Sequence, residues 1–237
     1  MKKGIVLKIS GEALAGENGI GISQEKVNQV AEEIKELYNE GGIELSVVVG
    51  AGNIFRGRDA ISHGMNRSSA DYMGMLATIL NALALQSALE NLNLDTRVMT
   101  SLSIPQVAEP YIRRKALSHL EKDRIIIFGG GNGIPYFSTD TTAVLRAAEL
   151  DADLILMAKN GVDGVYDKDP RKDKKFKHLT HQQVVEKNLK VMDMTAAALC
   201  AENNIDVYVF DMNKKGNIAA AAKDFSFGTL ISNKEQK

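Results

Sequence analysis

A chain of 237 residues with 44% hydrophobic and 25% charged residues has an ordinary globular composition. At that length it buries roughly 70–75% of its unfolded surface, so a core needs neither disulfides nor a structural metal. A formal net charge of −1 and a sequence pI near 6.4 give no overall basic field and argue against a dedicated nucleic-acid binder. The single cysteine excludes a disulfide framework within the chain, and the N-terminal "MKKGIVLKISGEAL" is broken by Lys8 and Glu12 too early for a secretion signal. No apolar run is expected to approach the ~20 residues of a membrane span, so a soluble cytoplasmic protein is expected.

Residues 4–9 read as a short apolar strand. After a glycine-rich loop, Ser23 opens a helix in which Val27, Val30, Ala31, Ile34, Leu37 and Tyr38 follow the spacing of one face. Ser23 caps it, Glu25 lies in its positive first turn and Gly41-Gly42 ends it. "ELSVVVGAGN" is a second apolar strand, so residues 1–50 form the strand–helix–strand unit that builds parallel sheets. From Asp71 to about Glu90 the chain reads as a helix, and "MGMLATILNALAL" is apolar nearly all round. Such a helix is buried inside the domain or against a second subunit, and a homo-oligomer is expected.

"TRVMT", "RIIIFGGGNG", "ADLILMAKNG" and "IDVYVF" mark further strands, separated by helical stretches such as "TTAVLRAAEL" and "DMTAAALCAEN". Cys200 lies in the last of these and reads as a packed thiol. Fully apolar strands alternating with helices imply a sheet covered on both faces. The expected fold is therefore α/β, a three-layer α/β/α sandwich with a mostly parallel central sheet. No repeat, low-complexity segment or linker divides residues 1–237, which are expected to form a single domain, and "DKDPRKDKKFKH" at 167–178 reads as a long surface loop.

Three of the strands, "IVLKISG", "VVVGAGN" and "IIIFGGGNG", run into small glycine-rich turns at their C-terminal ends. In open parallel sheets that edge binds ligands, because such turns free backbone N–H groups to face an anion. Together the three turns predict one crevice. G-x-x-x-x-G-K-[ST] is absent, and neither "GAGNIFRG" nor "GGGNGIP" completes G-x-G-x-x-G before a helix with its acidic partner. P-loop NTPases and dinucleotide enzymes are thereby disfavoured.

Positive charge for a bound phosphate must come from elsewhere. Lys8 stands at a strand end beside Ser10-Gly11, where a lysine either snorkels to water or meets a phosphate. Lys159 in "LILMAKNGVDGVY" repeats the arrangement of apolar strand, lysine and small loop. Two lysines from separate strand ends could hold a transferring phosphoryl group between them. In "YFSTDTTAVLRA", Ser138 and Thr139 can cap the helix that follows. Asp140 is then either a capping or first-turn residue, or the carboxylate that orients the lysines or a metal-bound phosphate.

With these residues assembled, the chain resembles the amino acid kinase superfamily and, within it, the bacterial uridylate (UMP) kinases. The resemblance runs nearly end to end through "LKISGEAL", "VVVGAGNIFRG", "GMNRSSADYMGMLATILNALALQSALE", "GNGIPYFSTDTTAVLRAAEL", "KNGVDGVYDKDP", "LKVMDMTAAALC" and "VFDMNKKGNI". It implies the reaction of ATP with UMP to give ADP and UDP, with magnesium. Lys8, Ile9, Ser10, Gly11, Gly52 and Arg56 match the family's ATP-phosphate positions, and Asn160, Tyr166 and Asp169 those around the nucleoside of ATP. Ala51, Asp71 and the run Asn132, Gly133, Ile134, Pro135, Tyr136, Phe137, Ser138 and Thr139 match the UMP positions. Lys8, Asp140 and Lys159 are the catalytic candidates. Gly16, Glu17, Asn18, Gly19, Ile20 and Gly21 match the stretch linked to allosteric activation by GTP, although their own composition says only flexible loop.

The resemblance also implies a homohexamer and inhibition by UTP. No cluster of protein metal ligands is visible, as expected if Mg2+ is held mainly by substrate phosphates and water. Ala51 stands where many relatives have glycine, which is harmless if its φ is negative. Two rival readings are a carboxylate or carbamate kinase of the same superfamily, and a non-catalytic nucleotide-binding or storage protein. "GNIFRG" and Asp71 weigh against the first; retention of Lys8, Asp140 and Lys159 weighs against the second.

Overall fold

Strand alternation decides where every later element sits. In β1 (Lys3–Ile9) residues Ile5, Leu7 and Ile9 pack into one layer of the core and Val6 into the other. By the same period of two, Lys8 shares the face of Val6. The computed structural model describes residues 2–167 and 174–234. After β1 and a 3-10 turn at Gly11–Leu14 come α1 (Gln24–Asn39), β2 (Ile43–Val49), α2 (Gly57–Ser62), α3 (Arg67–Asn91), β3 (Thr96–Thr100) and β4 (Glu109–Pro110). Next are α4 (Arg113–Leu120), β5 (Ile125–Gly129), α5 (Thr139–Glu149), β6 (Leu154–Lys159), β7 (Val165–Tyr166), β8 (Lys175–Phe176) and β9 (His178–Leu179). The chain closes with α6 (His181–Glu186), α7 (Met194–Asn203), β10 (Asp206–Asp211), α8 (Asn217–Ala220) and β11 (Thr229–Ile231).

Among the described residues nine strands form one sheet in the order β4-β3-β5-β2-β1-β6-β10-β11-β9. Every pairing from β4 to β10 is parallel, β11 runs antiparallel to β10, and β9 is parallel to β11. Residues of α1, α3 and α8 pack on the Ile5 face, residues of α4, α5, α6 and α7 on the Val6 face. This is the expected three-layer, mostly parallel α/β/α arrangement. Cys200 is fully buried in the second layer, and burial pushes its thiol up to about 12, so it is the packed thiol the sequence implied.

Two boundaries differ from expectation, each for a local reason. Helix α3 starts a turn before Asp71, because the Asn66 side chain caps it by accepting from the N–H groups of Ser68 and Ser69 at 3.0 and 3.3 Å. By length and composition α3 could cross a bilayer, yet it packs Ala82, Leu85 and Leu89 on the sheet. Its other face leaves Tyr72, Met73, Leu76 and Leu80 exposed. Of the expected loop 167–178, residues 168–173 lie outside the described residues; beyond them Lys175–Phe176 pairs with Val165–Tyr166, and His178 begins the strand that joins β11.

Candidate active site

β1 and β6 are adjacent parallel strands in which Lys8 lies opposite Met157. Lys159 is two residues beyond Met157, so both lysines project from the same face, toward α5. Asp140 meets them there, its Oδ1 2.6 Å from Lys8 Nζ and its Oδ2 3.5 Å from Lys159 Nζ. Ser138, not Asp140, caps α5, accepting from the N–H groups of Asp140 and Thr141 at 3.1 and 3.2 Å. Asp140 therefore sits in the positive first turn with its side chain free to face the lysines. Thr139 is the first helical residue rather than a cap.

The electrostatics follow from that triangle. Burial pushes the Asp140 carboxyl up, but the ammonium groups of Lys8 and Lys159 outweigh it and hold the carboxyl below the usual range. Burial lowers Lys159, and Lys8 adds to that, against the attraction of Asp140. Two cations share one carboxylate, and Asp140 Oδ1, despite its close ion contact, has no aligned hydrogen-bond donor. The centre holds more positive charge than it neutralises, as an anion-binding site requires.

Backbone closeness does the rest at this edge. A Cβ on Gly11 would stand 2.6 Å from both the Gly50 carbonyl oxygen and Asn53 Oδ1, so only glycine lets the β1 turn nest against the β2 turn. Gly50 N donates to Ile9 O at 3.0 Å, locking the two turns in register. Ala51 is not among the positive-φ residues, so replacing glycine there costs no backbone strain. Glu12, which sequence reasoning passed over, spans the opening: it accepts from Arg56 at 2.9 Å and from Asn160 at 3.3 Å. Asn160 in turn accepts from Asn213 at 2.7 Å. Gly52 packs beside Glu12, where a Cβ would meet its Cγ at 3.3 Å. Tyr166 lies on the separate β7–β8 pair with its hydroxyl donating to Asp163; Asp169 lies outside the described residues.

On the other side of Thr139 a cleft opens between α3 and the turn after β5. Ala51, Asp71, Asn132, Ile134, Phe137, Ser138 and Thr139 all line it, together with Met75 and Thr78 of α3. The cavity volume of the cleft is about 140 Å³, and its mouth is open to solvent. Asp71 Oδ2 accepts from the Tyr136 N–H at 2.8 Å, and Arg67 sits 5.2 Å over the Tyr136 ring. Tyr136 holds a left-handed φ of 74°, a strained conformation for an aromatic residue. Gly133 and Pro135 shape this turn without lining the cleft.

Several contributors were not singled out from the sequence. Asp193 caps α7 and also accepts from the hydroxyls of Ser138 and Thr141, tying two helix starts together beside Lys159. Its signal was present, since Asp before "MTAAAL" is an N-cap pattern. Asn53 and Asn81 form a buried reciprocal amide pair at 3.0 and 2.8 Å, and Asn81 also donates to Gly50 O at 2.8 Å. Asn53 further binds Gly21 both ways, donating to its carbonyl at 2.8 Å and accepting from its N–H at 2.7 Å. The run Gly16 to Gly21 is thus pinned at its end, although Glu17, Asn18, Gly19 and Ile20 are exposed.

The sequence model of the amino acid kinase family matches residues 3–211, and the chain belongs to that family. It is 58% identical over 230 residues to a uridylate kinase of Limosilactobacillus reuteri, spanning 96% of this chain and 95% of that one. A uridylate kinase of Onion yellows phytoplasma (strain OY-M) is 57% identical, with 99% and 98% covered. Among solved structures, a UMP kinase from Bacillus anthracis superposes with a TM-score of 0.93 at 41% identity, covering 98% of this chain and 97% of its own. One from Ureaplasma parvum gives a TM-score of 0.91 at 40% identity, with the same coverage.

Proposed function

We propose that this chain is a UMP kinase, transferring the γ-phosphoryl group of ATP to UMP to yield ADP and UDP. The observation that carries the reading is Asp140 set between Lys8 and Lys159, immediately beyond the cleft that Ser138, Thr139 and Asp71 line. A phosphate acceptor seated in that cleft directs its anion at the lysine pair. The triphosphate of ATP lies along Ile9, Ser10, Gly11 and Gly52, near Arg56, with its nucleoside toward Asn160 and the β7 side. Asp71 suits a ribose hydroxyl, because a carboxylate accepts more than one hydrogen bond.

Transfer breaks the bond from the γ-phosphorus to the β,γ-bridging oxygen and forms one to an oxygen of UMP phosphate. The acceptor is already an anion, so no general base is required, and positioning with charge neutralisation carries the catalysis. Lys8 and Lys159 offset the charge on the oxygens in flight, while Asp140 holds the two ammonium groups in place. Among the described residues no group of three or more His, Cys, Asp or Glu could hold a metal ion; Mg2+ arriving with ATP would rest mainly on phosphates and water. When bound, Mg2+ would supply further neutralisation of phosphate charge.

Membership of a homohexamer, activation by GTP, inhibition by UTP, a cytoplasmic location and a place in pyrimidine nucleotide biosynthesis belong to the same reading. The exposed stripe Tyr72, Met73, Leu76 and Leu80 on α3 supports self-association. The pinning of Gly21 to Asn53, one step from the Gly11–Gly50 contact, supports an effector role for Gly16 to Gly21. ADP release measured with UMP, CMP, dTMP, acetylglutamate and carbamate tests the reaction. Turnover selective for UMP is expected; turnover only with the carboxylate or carbamate acceptors, or nucleotide binding with no turnover, overturns it.

A further inference from the structure

Arg146 lies two turns down α5 from Asp140, away from the lysine triangle, and is 4% exposed. A guanidinium buried so deeply is costly unless it is paired and hydrogen-bonded. It stacks 3.7 Å from the Tyr111 ring centroid, and one branch pairs with Glu149, which also accepts from the Tyr111 hydroxyl at 2.8 Å. The other branch donates to Ser101 Oγ at 2.7 Å. Ser101 Oγ passes the interaction on, donating to the Gly131 carbonyl at 2.7 Å.

Gly131 begins the turn whose later residues line the acceptor cleft and whose end feeds α5. Contact with Ser101 is tight along this turn: a Cβ on Gly133 would stand 3.0 Å from Ser101 O, and one on Gly130 3.3 Å from Ser101 N. Wherever Ser101 sits, the turn must follow. We infer that Arg146 and Ser101 are positioning residues that tether the start of the acceptor turn to the helix at its end. The chain from Gly131 through Asp140 to Arg146 is thereby closed into a ring. The tether fixes the acceptor cleft relative to Asp140, Lys8 and Lys159 without touching any substrate. This deepens the UMP kinase reading and rests on it.

Steady-state kinetics of Ser101→Ala test the tether, since the substitution removes one small hydroxyl and leaves the packing around it. The KM for UMP is expected to rise about tenfold, equivalent to about 1.4 kcal/mol, with the KM for ATP within twofold of the parent. Arg146→Lys keeps a cation near Glu149 but loses the second branch, and is expected to reproduce the same selective rise. The double variant should then be no worse than the worse single one, because both remove the same link. A general loss of packing would raise both KM values together, and that result, or an unmoved KM for UMP, overturns the tether. Parent turnover of UMP in the same experiment separates the two ideas. Its absence overturns the UMP reading and this inference with it, whereas normal parent turnover with an unmoved Ser101→Ala overturns the tether alone.

Discussion

The lysine centre and the acceptor cleft share Thr139 as a border, yet they are built from different materials. At the centre, charge is delivered by side chains on buried strands: Lys8 and Lys159 project from adjacent strands onto one carboxylate. In the cleft the working surface is a turn with left-handed residues at Gly130, Gly131, Gly133 and Tyr136, held by hydrogen bonds from its neighbours. The sheet supplies rigidity to the first, and a network of caps and tethers supplies it to the second. Substitutions at the centre should therefore strike the rate of transfer, and those in the cleft the affinity for the acceptor.

Lys8→Ala should show the largest effect. Removing a single preorganised donor to developing charge costs about 10²–10³ in kcat, and the expected loss here is at the upper end, with far-UV dichroism and KM for UMP little changed. A variant retaining half of parental kcat would remove Lys8 from the transfer step. Asp140→Asn comes next, with kcat down about 10²-fold and a loss of stability. Two ammonium groups would then face each other without their carboxylate, and breaking a buried ion pair from one side costs about 3–5 kcal/mol. Urea unfolding of this variant at neutral pH measures that loss, and an unchanged midpoint would contradict the proposed triangle.

The contrast also explains what could be read in advance. Strand ends, glycine turns and both lysines were legible because strands announce themselves by apolar runs and turns by glycine. The convergence of the lysines depended on register, which no local pattern states: Lys8 opposite Met157 is set by how β1 and β6 pair across more than a hundred residues. Glu12 and Asp193 escaped because their roles depend on partners distant in the chain, Arg56 and Asn160 for one, Ser138 and Thr141 for the other. Arg146 escaped for the same reason, its partners Ser101 and Tyr111 being distant in the chain. Nothing local in "AVLRAAEL" says that an arginine there is buried, and stacking on Tyr111 is what lets it be.

Asp71→Asn carries the cleft side of the comparison. The amide keeps one acceptor for the Tyr136 N–H and loses the charge that, in the proposed function, faces a ribose hydroxyl. A hydrogen bond to a charged group contributes about 1.5–3 kcal/mol, so KM for UMP should rise at least about tenfold while KM for ATP stays put. Equal changes in both would show that the two regions are not separable in this way.

The smallest effect is the pH dependence of stability contributed by Asp140, and its sign is fixed by the geometry. Burial pushes the carboxyl up, Lys8 and Lys159 pull it further down, and its folded-state value ends below the ordinary 3.8. As pH falls, the unfolded chain takes up this proton first, so stability rises with pH between the folded value and 3.8. The contribution of Asp140 is therefore complete above the unfolded value and is lost as pH drops through the folded one. Unfolding free energies of the parent and Asp140→Asn should differ by a constant amount between about pH 5 and 7. That gap should then narrow below 3.8. A gap that persists undiminished once the carboxyl is protonated would mean that packing, not charge, is what Asp140 contributes, and the lysine pair would lose its electrostatic anchor.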